Sequence, residues 1–275
     1  MRNMRKYLKI VAILMITNLI MAISVHAQSA GKKNDIIGKE VSYQSGNVTL
    51  KGYVAYDGSK KAERPAIIIV HEWWGSNEYV RTRARMLAEL GYIAMAVDMY
   101  GDGKIADDPK TAGEYATPFY KNPAMAKERI EAAVEVLKKY PETNVSKMAA
   151  IGYCFGGSMV LNAAKMGMDF KGVVSFHGGL AGVPATTGTT KGKILVCHGG
   201  ADKFISDDEI STFKSNLDSV KVPYQFIVYP GATHAFTNPE ATAKGKKFKM
   251  PIEYNEAGDK KSWNDMKTFF KKIFK

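Results

Sequence analysis

Apolar positions along this chain fall into two alternating kinds of run. "PAIIIV" (65–70), "YIAMAV" (92–97), "SKMAAIGYC" (146–154), "KGVVSF" (171–176), "KGKILVC" (191–197) and "YQFIVY" (224–229) are short and carry little polar alternation. Such runs suit strands buried on both faces of a parallel sheet. Between them lie segments with apolar residues at helical spacing. Ile130, Val134 and Leu137 mark a helix opened by Asn122-Pro123 and ended by Pro141. Ile210, Phe213, Leu217 and Val220 mark another, for which Ser206 and Glu209 form a capping box. Trp263, Met266, Phe270 and Ile273 mark the last. Ser76 or Asn77 caps a helix running to about Leu90, with Gly91 as its stop, and Gly156 to Met166 forms one more.

Ahead of the first buried run, "KEVSYQSG" and "VTLKGYVAYDG" flank Ser45-Gly46-Asn47 and predict a hairpin. Residues 101–123 are polar and broken by Gly and Pro, and read as a long loop of the kind that often carries function. Strands alternating with helices predict an α/β fold, a mainly parallel central sheet with helices on both faces. Neither an internal repeat nor a long linker divides residues 28–275, which read as a single domain.

The first 27 residues differ from the rest. Arg2, Arg5, Lys6 and Lys9 precede an apolar run, and Val25-His26-Ala27 offers small residues for cleavage. That pattern predicts a secretory signal peptide and an exported, periplasmic or extracellular product. Thr17 and Asn18 break the run short of a membrane span, and without a cysteine the segment offers no lipid anchor, so no stable membrane insertion is expected after cleavage. The chain has 39 Lys and Arg against 27 Asp and Glu, concentrated late in "KGKKFK" (244–249), Lys260-Lys261 and Lys271-Lys272. With no nucleic-acid motif beside them, these read as solvated surface and predict no nucleic-acid partner.

In a doubly covered parallel sheet, reactive groups collect beyond the carboxyl ends of the strands. His71-Glu72, Cys154, Asp202 and His234 each follow an apolar run. Nucleophile, acid and histidine come in the chain order of the α/β-hydrolase arrangement, and Gly152, Gly156 and Gly157 leave room for a tight strand-to-helix elbow. The amides of Phe155 and Trp73 are the expected oxyanion donors. Trp74, Tyr100, Phe119 and Phe236 are candidate pocket walls.

From about Val41 to the C-terminus the chain resembles the dienelactone hydrolases. "HEWWG", "DMYG", "GYCFGG", "HGGAD" and "HAF" carry the likeness, with Tyr254, Ala257 and Trp263 closing it. The resemblance implies a Cys154 nucleophile, a His234 base oriented by Asp202, and a Glu72 carboxylate that contacts the thiol at rest. Like charge beside a thiol disfavours the thiolate, so Glu72 would act as a guard. The family's two substrate-carboxylate arginines fall at Asp102 and Asn238 here. Both are missing, leaving Lys104, Lys110 or Lys121 as possible substitutes.

His71, His177 and His198 lack metal-ligand spacing, so no metal and no cofactor are expected, and strand-end hydrogen bonding is their predicted role. Cys197 lies in a strand two places from the one leading to Cys154, about twice 4.8 Å away, beyond disulfide reach. The absence of a C-x-x-C pair argues against thiol redox chemistry. The expected activity is cleavage of a lactone or activated ester, a small molecule other than dienelactone itself. A non-catalytic ligand-binding member of the same fold is the alternative.

Overall fold

The computed structural model describes residues 35–275, so the predicted signal peptide lies outside the described residues. Eight strands form one sheet in the order β1-β2-β4-β3-β5-β6-β7-β8. They are β1 (Ile36–Ser45), β2 (Val48–Asp57), β3 (Arg64–Val70), β4 (Ile93–Val97), β5 (Thr143–Tyr153), β6 (Gly172–Phe176), β7 (Lys193–Gly199) and β8 (Tyr224–Tyr229). β1 and β2 pair antiparallel as the predicted hairpin, turning on Gly46 at φ 57°, and β2 joins β4 antiparallel. Every pairing from β4 through β8 is parallel.

The helices are α1 (Glu78–Glu89), α2 (Pro109–Lys121), α3 (Pro123–Lys138), α4 (Phe155–Lys165), α5 (Asp207–Ser219), α6 (Ala241–Phe248) and α7 (Glu256–Ile273). Alternation along the strands sorts the core into two layers. Ile68 and Val70 of β3 pack with Ile130 of α3, Met159 of α4 and Leu217 of α5. Ile67 and Ile69 pack with Leu87 of α1 and with Met266 and Phe270 of α7. Asn77, rather than Ser76, caps α1 by accepting from the Tyr79 amide.

Two segments depart from the sequence reading. The long polar loop contains α2, capped by Asp108, whose carboxylate accepts from the amides of Lys110 (2.9 Å) and Thr111 (3.1 Å), with Pro109 at the first helical position. This is ordinary N-terminal chemistry. The capping box of α5 is half formed. Ser206 accepts from the Glu209 amide, but Glu209 turns away to accept from the amides of Leu180 (2.6 Å) and Ala181 (2.9 Å). A separate loop needed its carboxylate more than the helix end did.

The crossing of β5 into α4 leaves no space for side chains. A Cβ on Gly152 would lie 2.0 Å from the Gly156 carbonyl oxygen, and one on Gly156 would lie 2.2 Å from that of Val70. Both obstacles are backbone, which cannot swing aside. Gly152→Ala is therefore expected to cost about 3 kcal/mol or more and to lower the Tm by roughly 6–12 °C, read by thermal unfolding followed by circular dichroism.

Candidate active site

β5 ends at Tyr153, and the chain turns into α4 through Cys154 at φ 51°, ψ −116°. Few residues other than glycine adopt positive φ without being held there. The Cys154 amide donates to the Phe176 carbonyl (3.0 Å) and to His177 Nδ1 (3.1 Å), both at the end of β6. Phe155 is the first residue of α4, so its own amide has no acceptor within the helix.

After β7, Asp202 is set in a turn where its amide donates to the Gly199 carbonyl and its Oδ1 accepts from the Phe204 amide (2.8 Å). Its other oxygen, Oδ2, lies 2.8 Å from His234 Nδ1 in the loop after β8. Cys154 and His234 face the same opening, and Cys154 is the strongest charged neighbour acting on the imidazole. Burial opposes protonation of that imidazole, but the charge of a facing thiolate and the hydrogen bond to Asp202 prevail, pushing the His234 pKa up to about 10. The predicted nucleophile, base and orienting acid thus come together from three strand ends.

Glu72 is buried at 2% exposure beside them. Its Oε2 accepts from Asn238 Nδ2 at 2.6 Å, and its Oε1 has no hydrogen-bond partner among the described residues. Burial raises the Glu72 pKa, opposed by the Asn238 hydrogen bond and by the charges of Lys244, His234 and Arg83. Asn238, which the sequence reading marked only as a lost arginine, is itself buried and serves as the clamp on Glu72.

A cavity of about 220 Å³ opens over these groups. Glu72, Cys154 and His234 supply its chemistry, and Trp73, Trp74, Tyr120, Phe204, Met250 and Ile252 are among its walls. Of the predicted wall residues only Trp74 lines it. Tyr100 lies behind the wall, donating to the Trp73 carbonyl (3.0 Å) and packing on Phe155. Phe119 packs edge-on against Phe155 in the core, and Phe236 is fully buried against His177 and Tyr229. These aromatics pack against Phe155 and His177, residues next to the elbow, instead of lining the cavity.

Neither Asp102 nor the substitute lysines reach the cavity. Asp102 is exposed in a turn at φ 55°, its amide on the Thr49 carbonyl. Lys110 and Lys121 are exposed, and Lys104 lies 5.9 Å over the Tyr115 ring. A cation that does pack on the wall is Lys244 of α6, 4.8 Å over the Trp74 ring and paired with Glu240 at 2.8 Å. It belongs to the basic cluster expected to be plain surface; Lys246, Lys247 and Lys249 of that cluster are exposed.

The remaining histidines divide. The Met99 amide donates to His71 Nε2 (3.3 Å), and His177 bridges the elbow to Thr237, as strand-end residues should. Among the described residues the His198 ring makes no hydrogen bond and lies against the Phe226 ring instead. Cys197 is free and buried in β7, its pKa pushed up to about 12 by burial, and Cys154 is also free. Among the described residues no three His, Cys, Asp or Glu side chains gather to hold a metal ion.

A parallel sheet with an elbow after β5, an acid after β7 and a histidine after β8 defines an α/β hydrolase. The dienelactone hydrolase family model matches residues 50–274, and the chain belongs to that family of carboxylic ester hydrolases. Protein usf of Aquifex pyrophilus is 28% identical over 86% of this chain and 98% of its own length. A protein of Aquifex aeolicus, provisionally named a carboxymethylenebutenolidase, is 29% identical over 74% of this chain and 88% of its own. The crystal structure of P91, a dienelactone hydrolase-like promiscuous phosphotriesterase from metagenomic libraries, superposes with a TM-score of 0.81 at 31% identity, covering 86% of this chain and 98% of that one.

Proposed function

We propose that the chain hydrolyses a small, uncharged lactone or activated ester through Cys154, with His234 and Asp202 completing the catalytic unit. The observation that carries this is one apolar cavity lined by both Cys154 and His234, with Asp202 Oδ2 at 2.8 Å from His234 Nδ1 behind them. The thiolate attacks the carbonyl carbon, and the amides of Trp73 and Phe155 receive the developing oxyanion. Collapse of the tetrahedral intermediate breaks the bond to the leaving oxygen, which takes its proton from the His234 imidazolium. Neutral His234 then draws a proton from water, and the resulting hydroxide attacks the thioester and releases the acid and the thiolate.

The cavity walls supply apolar contacts, and among the described residues no lysine or arginine lines them. An uncharged substrate fits that lining, since an ionised group without a partner is costly to bury. P91 is named for action on phosphotriesters, which carry no ionised phosphoryl oxygen, and so offers a parallel. At about 220 Å³ the space suits a compact ring or a short acyl group. Export by the N-terminal signal remains part of this proposal, testable by following cleavage after residue 27 by N-terminal sequencing of the exported protein.

Rapid mixing with p-nitrophenyl acetate followed by acid quench and intact mass analysis tests the mechanism. An acetyl adduct mapped to Cys154 is expected, and its appearance on another residue would displace the assigned nucleophile.

Glu72 gives a pH-dependent prediction. Burial raises its pKa, so its like-charge effect on the thiolate is absent at the acid end and grows as pH rises through the raised value. Glu72→Gln should leave the rate of Cys154 alkylation by iodoacetamide unchanged at low pH and raise it by about three- to tenfold near neutral pH. A ratio that stays flat with pH would show that Glu72 exerts no such guard.

A further inference from the structure

His177 takes no part in the chemistry proposed above, yet it is fully buried and held at φ 42°. Its ring lies 5.4 Å from that of His234 in an edge-on arrangement. Both of its nitrogens are engaged. The Cys154 amide donates to Nδ1 at 3.1 Å, which requires that nitrogen to be the unprotonated one. The proton of the neutral ring then sits on Nε2, which donates to Thr237 Oγ1 at 2.7 Å. The tautomer follows from the backbone donor and needs no further assumption.

Thr237 is held from two more directions. Tyr79 shares a hydrogen bond with its hydroxyl (2.6 Å), and Arg83 donates to its carbonyl (2.6 Å) while pairing with Asp259 (2.6 Å). The next residue is Asn238, the clamp on Glu72. A continuous buried path therefore runs from the nucleophile's amide through His177 and Thr237 to the residue that orients Glu72. The same loop carries His234, three residues before Thr237.

We propose that His177 is a positioning residue, which fixes the Cys154 elbow to the loop that carries both His234 and Asn238. The proposal rests on Cys154 being the nucleophile. The elbow sits in a conformation that a cysteine rarely adopts, and a second acceptor for its amide, beyond the Phe176 carbonyl, opposes relaxation. Thiol, imidazole and carboxylate come from three different strand ends, so a cross-link between two of them governs how well they align. Burial keeps the ring neutral, assisted by the charges of His234 and Arg83, so the link persists while His234 gains and loses its proton.

Three variants separate the links. His177→Leu removes both bonds. His177→Asn keeps an acceptor near the place of Nδ1, tolerates positive φ, and loses the reach to Thr237. Thr237→Val cuts only the far bond. With p-nitrophenyl acetate as probe, His177→Leu should lower kcat by about 10²-fold while KM changes by less than about threefold. His177→Asn should recover most of that loss, to within about fivefold to tenfold of the parent, and Thr237→Val should lose about threefold to tenfold.

Iodoacetamide alkylation of Cys154 at neutral pH should slow by about tenfold in His177→Leu, because a displaced thiol loses His234. His177→Gln, polar and long enough to reach Thr237 but too long to replace Nδ1, stands in if the leucine variant does not fold, and the same losses are expected of it. The proposal is overturned if His177→Leu or Gln keeps kcat within about threefold, if His177→Asn is no better than either, or if the losses lie in KM. Should wild type fail to turn over the ester, or Cys154→Ala match it, the hydrolase reading is what fails. The alkylation rates then still decide whether His177 positions the thiol, and equal rates in all variants would refute it.

Discussion

Cys154→Ala is expected to abolish ester hydrolysis, lowering kcat/KM by on the order of 10⁴-fold or more, with the fold unchanged. Alanine keeps the Cβ that the elbow already accommodates at φ 51°, so the substitution adds no backbone strain. It removes only a half-buried sulfur, so unfolding should shift by less than about 1 kcal/mol. Steady-state hydrolysis of p-nitrophenyl acetate and a thermal melt on the same preparation check both halves. Retention of more than a few per cent of activity would mean that His234 activates water directly and that the thiol is a bystander.

The second large effect concerns charge. A neutral lactone should be hydrolysed with a kcat/KM about 10² or more above that of an anionic lactone of the same size. Among the described residues the cavity offers an anion no lining lysine or arginine, and it is lined by Glu72, whose Oε1 has no hydrogen-bond partner there. An ionised carboxylate entering there would forgo charge-assisted hydrogen bonds of about 1.5–3 kcal/mol each. A native preference for the anionic lactone would refute this. It would also direct attention to Lys244 over Trp74, whose release from Glu240 could bring a cation to the rim. Lys244→Met should then reverse the preference.

The strands and the three reactive strand ends were legible because buried strands need uninterrupted apolar runs and parallel topology fixes which end is open. Helix α2 was hidden by Gly113 and Pro118, although Asp108-Pro109 carried a cap and first-turn signal. Helix α6 escaped because its buried positions, Ala241 and Gly245, are too small to form an apolar stripe. A Cβ on Gly245 would meet the Ile252 carbonyl oxygen at 2.3 Å, so closeness of approach, not hydrophobicity, sets that contact.

The pocket was the least legible part. Tyr120 comes from the end of α2, and Phe204, Met250 and Ile252 come from loops, whose direction no periodicity reports. Phe119 faces the core from α2, and Tyr100 and Phe236 lie in loops as well, where they pack on Phe155 and on His177 instead of on the cavity. Asn238 illustrates a different limit. Its position in a motif said which contact to a substrate was lost, while the contact it gained, to Glu72, depends on a pairing 166 residues away in the chain.

That pairing bears on how such an enzyme can change over generations. A single carboxamide, buried at 1% exposure, holds the acid of the cavity from the sequence position that the resemblance assigns to a substrate-binding arginine. A lineage that substitutes residue 238 to admit anions also releases Glu72, so selectivity and activation cannot drift independently. Compensating changes around residue 72 are the expected companions of any such shift.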